Sequence, residues 1–135
     1  MTNANRKRNA RAQTEKGDRA LREAEVLLAA GLCDGAVSRA YYAAFHYARA
    51  LLLSEGLQPR SHRGVGALIT ERFVATGRLT RETGALLSRL ETIRTIADYG
   101  VEEAASAERA AAEVAEARRF VSEVRAALQV GGWLE

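Results

Sequence analysis

Residues 34–56 read DGAVSRAYYAAFHYARALLLSEG, and this stretch decides the fold. It holds no Pro, and Ala, Leu and aromatic residues recur at helical spacing. Val37, Tyr41, Ala44, Ala48 and Leu51 step by three and four into one apolar stripe. Arg39, Tyr42, His46, Arg49 and Leu53 step the same way into a second stripe. Two Arg, a Tyr and a His on one face make either the wet side of an amphipathic helix or a surface that holds an anion or a partner.

Working outward, the spacing predicts a helix over about 17–30, with Asp18 as its N-cap and Leu21, Ala24, Leu27 and Leu28 as its apolar side. Gly31 stops it in the position that accepts a left-handed backbone, and Asp34 caps the helix quoted above. Gly56 ends that helix, and Gln58-Pro59-Arg60 turns the chain. A shorter helix is expected from Ser61 to about Thr76-Gly77, burying Val65, Leu68, Ile69 and Phe73. The fourth starts at Thr80, with Thr83 where a capping box has Glu, and buries Leu86, Leu90, Ile93 and Ala97 before Gly100. An acidic loop then leads to a fifth helix over about 106–128, with Ala107, Ala110, Val114, Val121, Val124 and Leu128 inward. No segment alternates with period two for long enough to make a strand. The expected fold is all-α, an up-and-down bundle of four main helices plus a short extra one over 14–130. It is flanked by a basic, unstructured tail at 1–13 and a short tail at 131–135, where Trp133 is expected to pack on the body or on another chain.

A chain of 135 residues with 47% apolar composition is one globular domain. No apolar run reaches the roughly 20 residues that cross a membrane. No secretory leader is expected, and a single Cys fits a reducing cytoplasm. Cys33 reads as a small buried hydrophobe. The net charge of +3 is uneven: Arg6, Lys7, Arg8 and Arg11 lie in the first thirteen residues without an acid, leaving a body at −1.

The residues exclude several chemistries. Two His on different elements and one Cys give neither zinc spacing nor the Glu-x-x-His pairs of di-metal bundles, so no metal or cofactor is expected. Gly64-Val65-Gly66 lacks the rest of a phosphate loop, and no Gly-x-Ser-x-Gly elbow occurs. His62 reads as a loop residue beside a helix start. What remains is Arg, His, Tyr and Asp. In ETIRTIADYG, Arg94 and Asp98 are four apart and pair on one face. Arg94 and Tyr99 are five apart, about 140° around a helix, and converge only if the helix ends between them.

Together, SRAYYAAFHYARALLLSEG, PRSHRGV and RTIADYG resemble the HEPN domain family over about residues 17–129, and in particular the small prokaryotic HEPN proteins paired with minimal nucleotidyltransferases. The resemblance implies a helical bundle that forms a two-fold homodimer. It implies a cytoplasmic toxin–antitoxin-like module with a nucleotidyltransferase partner, and RNA or nucleotide bound in the dimer cleft. In some pairs the partner attaches AMP to a Tyr near the motif. Many members are metal-independent ribonucleases whose hallmark is Arg followed four to six residues later by His. Here the hallmark Arg falls on Arg94 and the His on Tyr99. Tyr, with a pKa near 10, is a poor base at neutral pH where His serves well. The expected catalytic set is therefore Arg94, Tyr99 and His46, with Arg39, Tyr42 and Asp98 contacting RNA or nucleotide. The alternative is a non-catalytic HEPN partner or regulator of a nucleotidyltransferase.

Overall fold

A computed structural model describes residues 2–100 and 105–134. The order is α1 (Asn3–Ala29), α2 (Cys33–Ser54), α3 (His62–Ile69), a π-helical turn (Thr70–Val74), α4 (Arg81–Tyr99) and α5 (Ala107–Val130). No strand occurs among the described residues, and the all-α bundle expected from the sequence is the fold. Among those residues no helix is long and apolar enough to cross a membrane. Of the acidic loop expected between Gly100 and the fifth helix, residues 101–104 lie outside the described residues.

α2 is the axis of the molecule and packs against α1, α3, α4 and α5. Its apolar stripe of Val37, Tyr41, Ala44, Ala48 and Leu51 is buried throughout. Interspersed Ala40, Ala43 and Ala50, also buried, let the neighbours approach closely. Gly17 does the same from α1: a Cβ there would sit 2.5 Å from Tyr47 Cδ2 and 3.2 Å from the Ala43 carbonyl oxygen. The Tyr47 hydroxyl donates to Asp18 and accepts from Arg125, and Arg125 Nη2 lies 2.7 Å from Asp18 Oδ2. This cluster ties α1, α2 and α5 together. Gly31 and Gly56 end α1 and α2 with φ of 78° and 76°, the left-handed backbone the sequence implied.

Several expectations are corrected. Residues 3–13 are helical, because α1 starts at Asn3 with Thr2 Oγ1 accepting from Asn5 N. Ala10 and Thr14 are buried, and Arg6 donates to the Leu53 and Ser54 carbonyls at 3.0 and 2.7 Å. Arg6 therefore caps the C-terminus of α2, where carbonyl partners and the helix dipole favour a cation. Asp18 is an interior position of α1, not its cap. Asp34 is no cap either, since α2 begins at Cys33; its Oδ1 accepts from Ala105 N at 2.9 Å and fixes the approach to α5. Ala107 is exposed, while Ala110, Val114, Val121, Val124 and Leu128 are buried as expected. Ser61, Thr80 and Ser106 all cap their helices through the side chain. Trp133 folds back under Arg6, whose Cζ lies 4.8 Å from the indole centroid.

Candidate functional site

Two hollows flank the second stripe of α2. The larger, about 500 Å³, lies among α2, α3 and α4 and is lined by Tyr41, Phe45, His62, Ser88 and Glu91 among others. The smaller, about 300 Å³, lies between α1 and α2 and is lined by Lys16, Arg19, Glu23, Arg39, Tyr42 and His46. Tyr42 joins the two halves of the site. The guanidinium carbon of Arg39 is 4.8 Å from its ring centroid and that of Arg94 is 5.7 Å. Charges from two helices thus meet on one aromatic ring.

Arg94 is held in place rather than free. Its side chain is 15% exposed, with Nη1 2.8 Å from Asp98 Oδ2 and Nη2 3.0 Å from Glu91 Oε1. Its Cζ also lies 5.1 Å from the Tyr41 ring centroid. Its Nε–H is buried and has no partner among the described residues. Burial alone works against the charged guanidinium, but Glu91, Tyr42 and Asp98 outweigh it and raise the pKa further. Burial likewise works to raise the Glu91 carboxyl. The Tyr41 hydroxyl and Arg94 overcome that and hold it below the usual carboxylate range.

The Tyr41 hydroxyl meets His62 Nδ1, which stands 3.9 Å from Glu91 Oε2. Burial, then Glu91, push the Tyr41 pKa far up, so this phenol stays protonated. The His62 ring stacks on Phe45 at a centroid distance of 4.2 Å. His46 sits on the other side of Tyr42, with ring centroids 6.4 Å apart. Its Nδ1 is 2.8 Å from Gln13 Oε1. Burial, followed by Lys16, Arg49 and Arg39, lowers its pKa to about 4, so the ring is neutral at pH 7.

The structure therefore brings Arg94, Asp98, Tyr42, Arg39 and His46 into one neighbourhood. It leaves out Tyr99. α4 runs unbroken through Tyr99, so the five-residue step from Arg94 turns it away, and it is 85% exposed. The helix end expected between Arg94 and Tyr99 does not occur, so the chain does not turn back there to bring the two together. Sequence reasoning missed Glu91, Tyr41, Gln13, Lys16 and Arg19. The i,i+3 step from Glu91 to Arg94 was a usable signal. Lys16 and Arg19 also step by three, but they join a helix face only because α1 extends far upstream of Gly17. His62, taken for a loop residue, is the first residue of α3 and stacks on the core. Among the described residues no group of three or more His, Cys, Asp or Glu could hold a metal.

The family model described as HEPN domain matches residues 10–127. Over 109 residues, 81% of each chain, the protein is 36% identical to "Putative toxin MJ0605" of Methanocaldococcus jannaschii. It is 38% identical over 86 residues to UPF0332 protein glr0978 of Gloeobacter violaceus, covering 64% of this chain and 68% of that one. A UPF0332 protein of Thermotoga maritima is 40% identical over 80 residues, 59% and 61% of the two chains.

Proposed function

This chain belongs to the HEPN domain family, and from that premise we propose that it is the toxin-like member of a two-protein module with a nucleotidyltransferase, binding RNA or a nucleotide in a cleft that two copies complete. The observation that carries the reading is the convergence of Arg39 and Arg94 on the Tyr42 ring. Guanidinium groups stacked on an aromatic face suit phosphate and base together. The toxin part draws on the name of the Methanocaldococcus relative. A two-fold assembly is supported by Ile96 and Tyr99, three apart on α4 and 55% and 85% exposed, which offer an apolar contact beside the Arg94 turn.

Cleavage would need Arg94 to stabilise charge on phosphorus and a base to take the ribose proton. His46 is the base that the neighbourhood offers, a weak one because burial lowers its pKa to about 4. A non-catalytic partner of a nucleotidyltransferase is the second reading. It is favoured by Tyr99, whose phenol is 85% exposed and open to modification with AMP.

Purified protein incubated with single-stranded RNA in EDTA separates the two. Product ending in a 2′,3′-cyclic phosphate, lost in Arg94→Ala and His46→Ala, establishes the ribonuclease. Intact RNA, with tight binding of the co-encoded nucleotidyltransferase and AMP transfer to Tyr99, establishes the regulatory partner. Protein that binds neither RNA nor a nucleotidyltransferase overturns both.

A further inference from the structure

The smaller hollow has a chemistry of its own. Lys16 and Arg19 from α1 and Arg39 from α2 line it, against one acid, Glu23. None of the three cations forms an ion pair among the described residues, whereas Arg94 is engaged by two carboxylates. Three unneutralised cations around one concavity repel each other, and an anion removes that cost. The free positive charge of the site thus lies between α1 and α2 and not at the hallmark arginine.

His46 adds a second specificity. Gln13 Oε1 accepts a hydrogen bond, so Nδ1 carries the hydrogen and the neutral ring leaves Nε2 as an acceptor. Nε2 has no partner among the described residues. An acceptor lining the same hollow as three cations matches a ribose hydroxyl next to its phosphate, and the 2′-hydroxyl is what separates RNA from DNA.

We propose that the hollow between α1 and α2 is a ribose-phosphate subsite for single-stranded RNA, with Lys16, Arg19 and Arg39 on the phosphate and His46 accepting from the 2′-hydroxyl. The subsite rests on the RNA-binding reading above and deepens it, by naming the part of the nucleotide held and by adding two residues of α1. The larger hollow is less suited to the same role, because its Tyr41, His62 and Glu91 groups are engaged with one another.

The test uses the full chain and two labelled ten-nucleotide probes of the same sequence, one RNA and one DNA, titrated over a range of salt. Lys16 and Arg19 are exposed, so Lys16→Ala/Arg19→Ala is expected to fold as the parent does. Loss of two charge-assisted contacts weakens RNA binding about tenfold or more. It also lowers the slope of log K against log salt by about 1.4. His46→Ala brings the RNA-to-DNA affinity ratio to about one, and His46→Gln, which keeps an acceptor, restores part of the preference. Affinity and salt slope unchanged in the double variant overturn the subsite and leave the RNA-binding reading standing. A parent protein that binds neither probe overturns both. A ratio unchanged in His46→Ala overturns the 2′-hydroxyl assignment. A double variant that keeps RNA but loses the nucleotidyltransferase makes the hollow a protein contact and overturns the proposal.

Discussion

His46 shows how much one side chain depends on its setting. Burial and the cations Lys16, Arg49 and Arg39 lower its pKa to about 4, from the ordinary 6.5 of an unfolded chain. Between these values the unfolded chain takes up a proton that the folded chain refuses. This contribution to stability is therefore whole above pH 6.5, declines as pH falls, and is fully lost below about pH 4. Urea midpoints measured from pH 7.5 to 4 should fall along that course, and His46→Gln should remove the part of the decline centred between 4 and 6.5. Equal pH dependence in the two proteins would mean the imidazole is not held neutral. None of this was legible from the stripe in the sequence. Spacing placed His46 on a polar face, but Gln13, 33 residues away, and Lys16 reach it only in the folded molecule.

At the scale of elements, the contact between α1 and α2 is where packing decides most. Gly17 in a helix interior costs about 1 kcal/mol relative to Ala by propensity alone. Here the missing side chain is needed, because a Cβ would lie 2.5 Å from a Tyr47 ring fixed by Asp18 and Arg125. Gly17→Ala should therefore destabilise by about 1–3 kcal/mol in denaturant titration, despite the better helix former. A gain in stability would show that Tyr47 can shift. The same contact relies on Arg6, which satisfies two carbonyls at the end of α2. Arg6→Ala should cost about 1–2 kcal/mol, and amide exchange should quicken first over the last turn of α2. Exchange unchanged there would make Arg6 a surface residue. Helix ends marked by Gly31, Gly56, Ser61, Thr80 and Ser106 could be read from the chain, since each signal acts within four residues. The start of α1 could not, because Arg6 finds its carbonyl partners on α2, more than forty residues downstream.

For the whole molecule, the proposed cleft requires a second copy. Ile96 offers the least ambiguous handle, being 55% exposed on α4 while the core of that helix lies at Leu86, Leu87 and Leu90. Ile96→Asp should yield a monomer in sedimentation at concentrations where the parent is dimeric, with a thermal midpoint of the protomer close to the parent's. A parent that sediments as a monomer at high concentration would remove the composite cleft and leave only the sites within one chain.

The sequence by itself determined that this protein is an all-α bundle built around residues 34–56, where most of its helices start and stop, and that it is a HEPN protein. Those properties follow from periodicity, capping and motif, which are local along the chain. Tertiary structure decided that Arg94 is tied to Glu91 and Asp98, that Tyr99 is left exposed, and that Arg39, Lys16 and Arg19 line a hollow with no ion pair among the described residues. The reason is physical. Whether a charge is paired, buried or open depends on which distant helix lies against it, and no spacing within one helix contains that information.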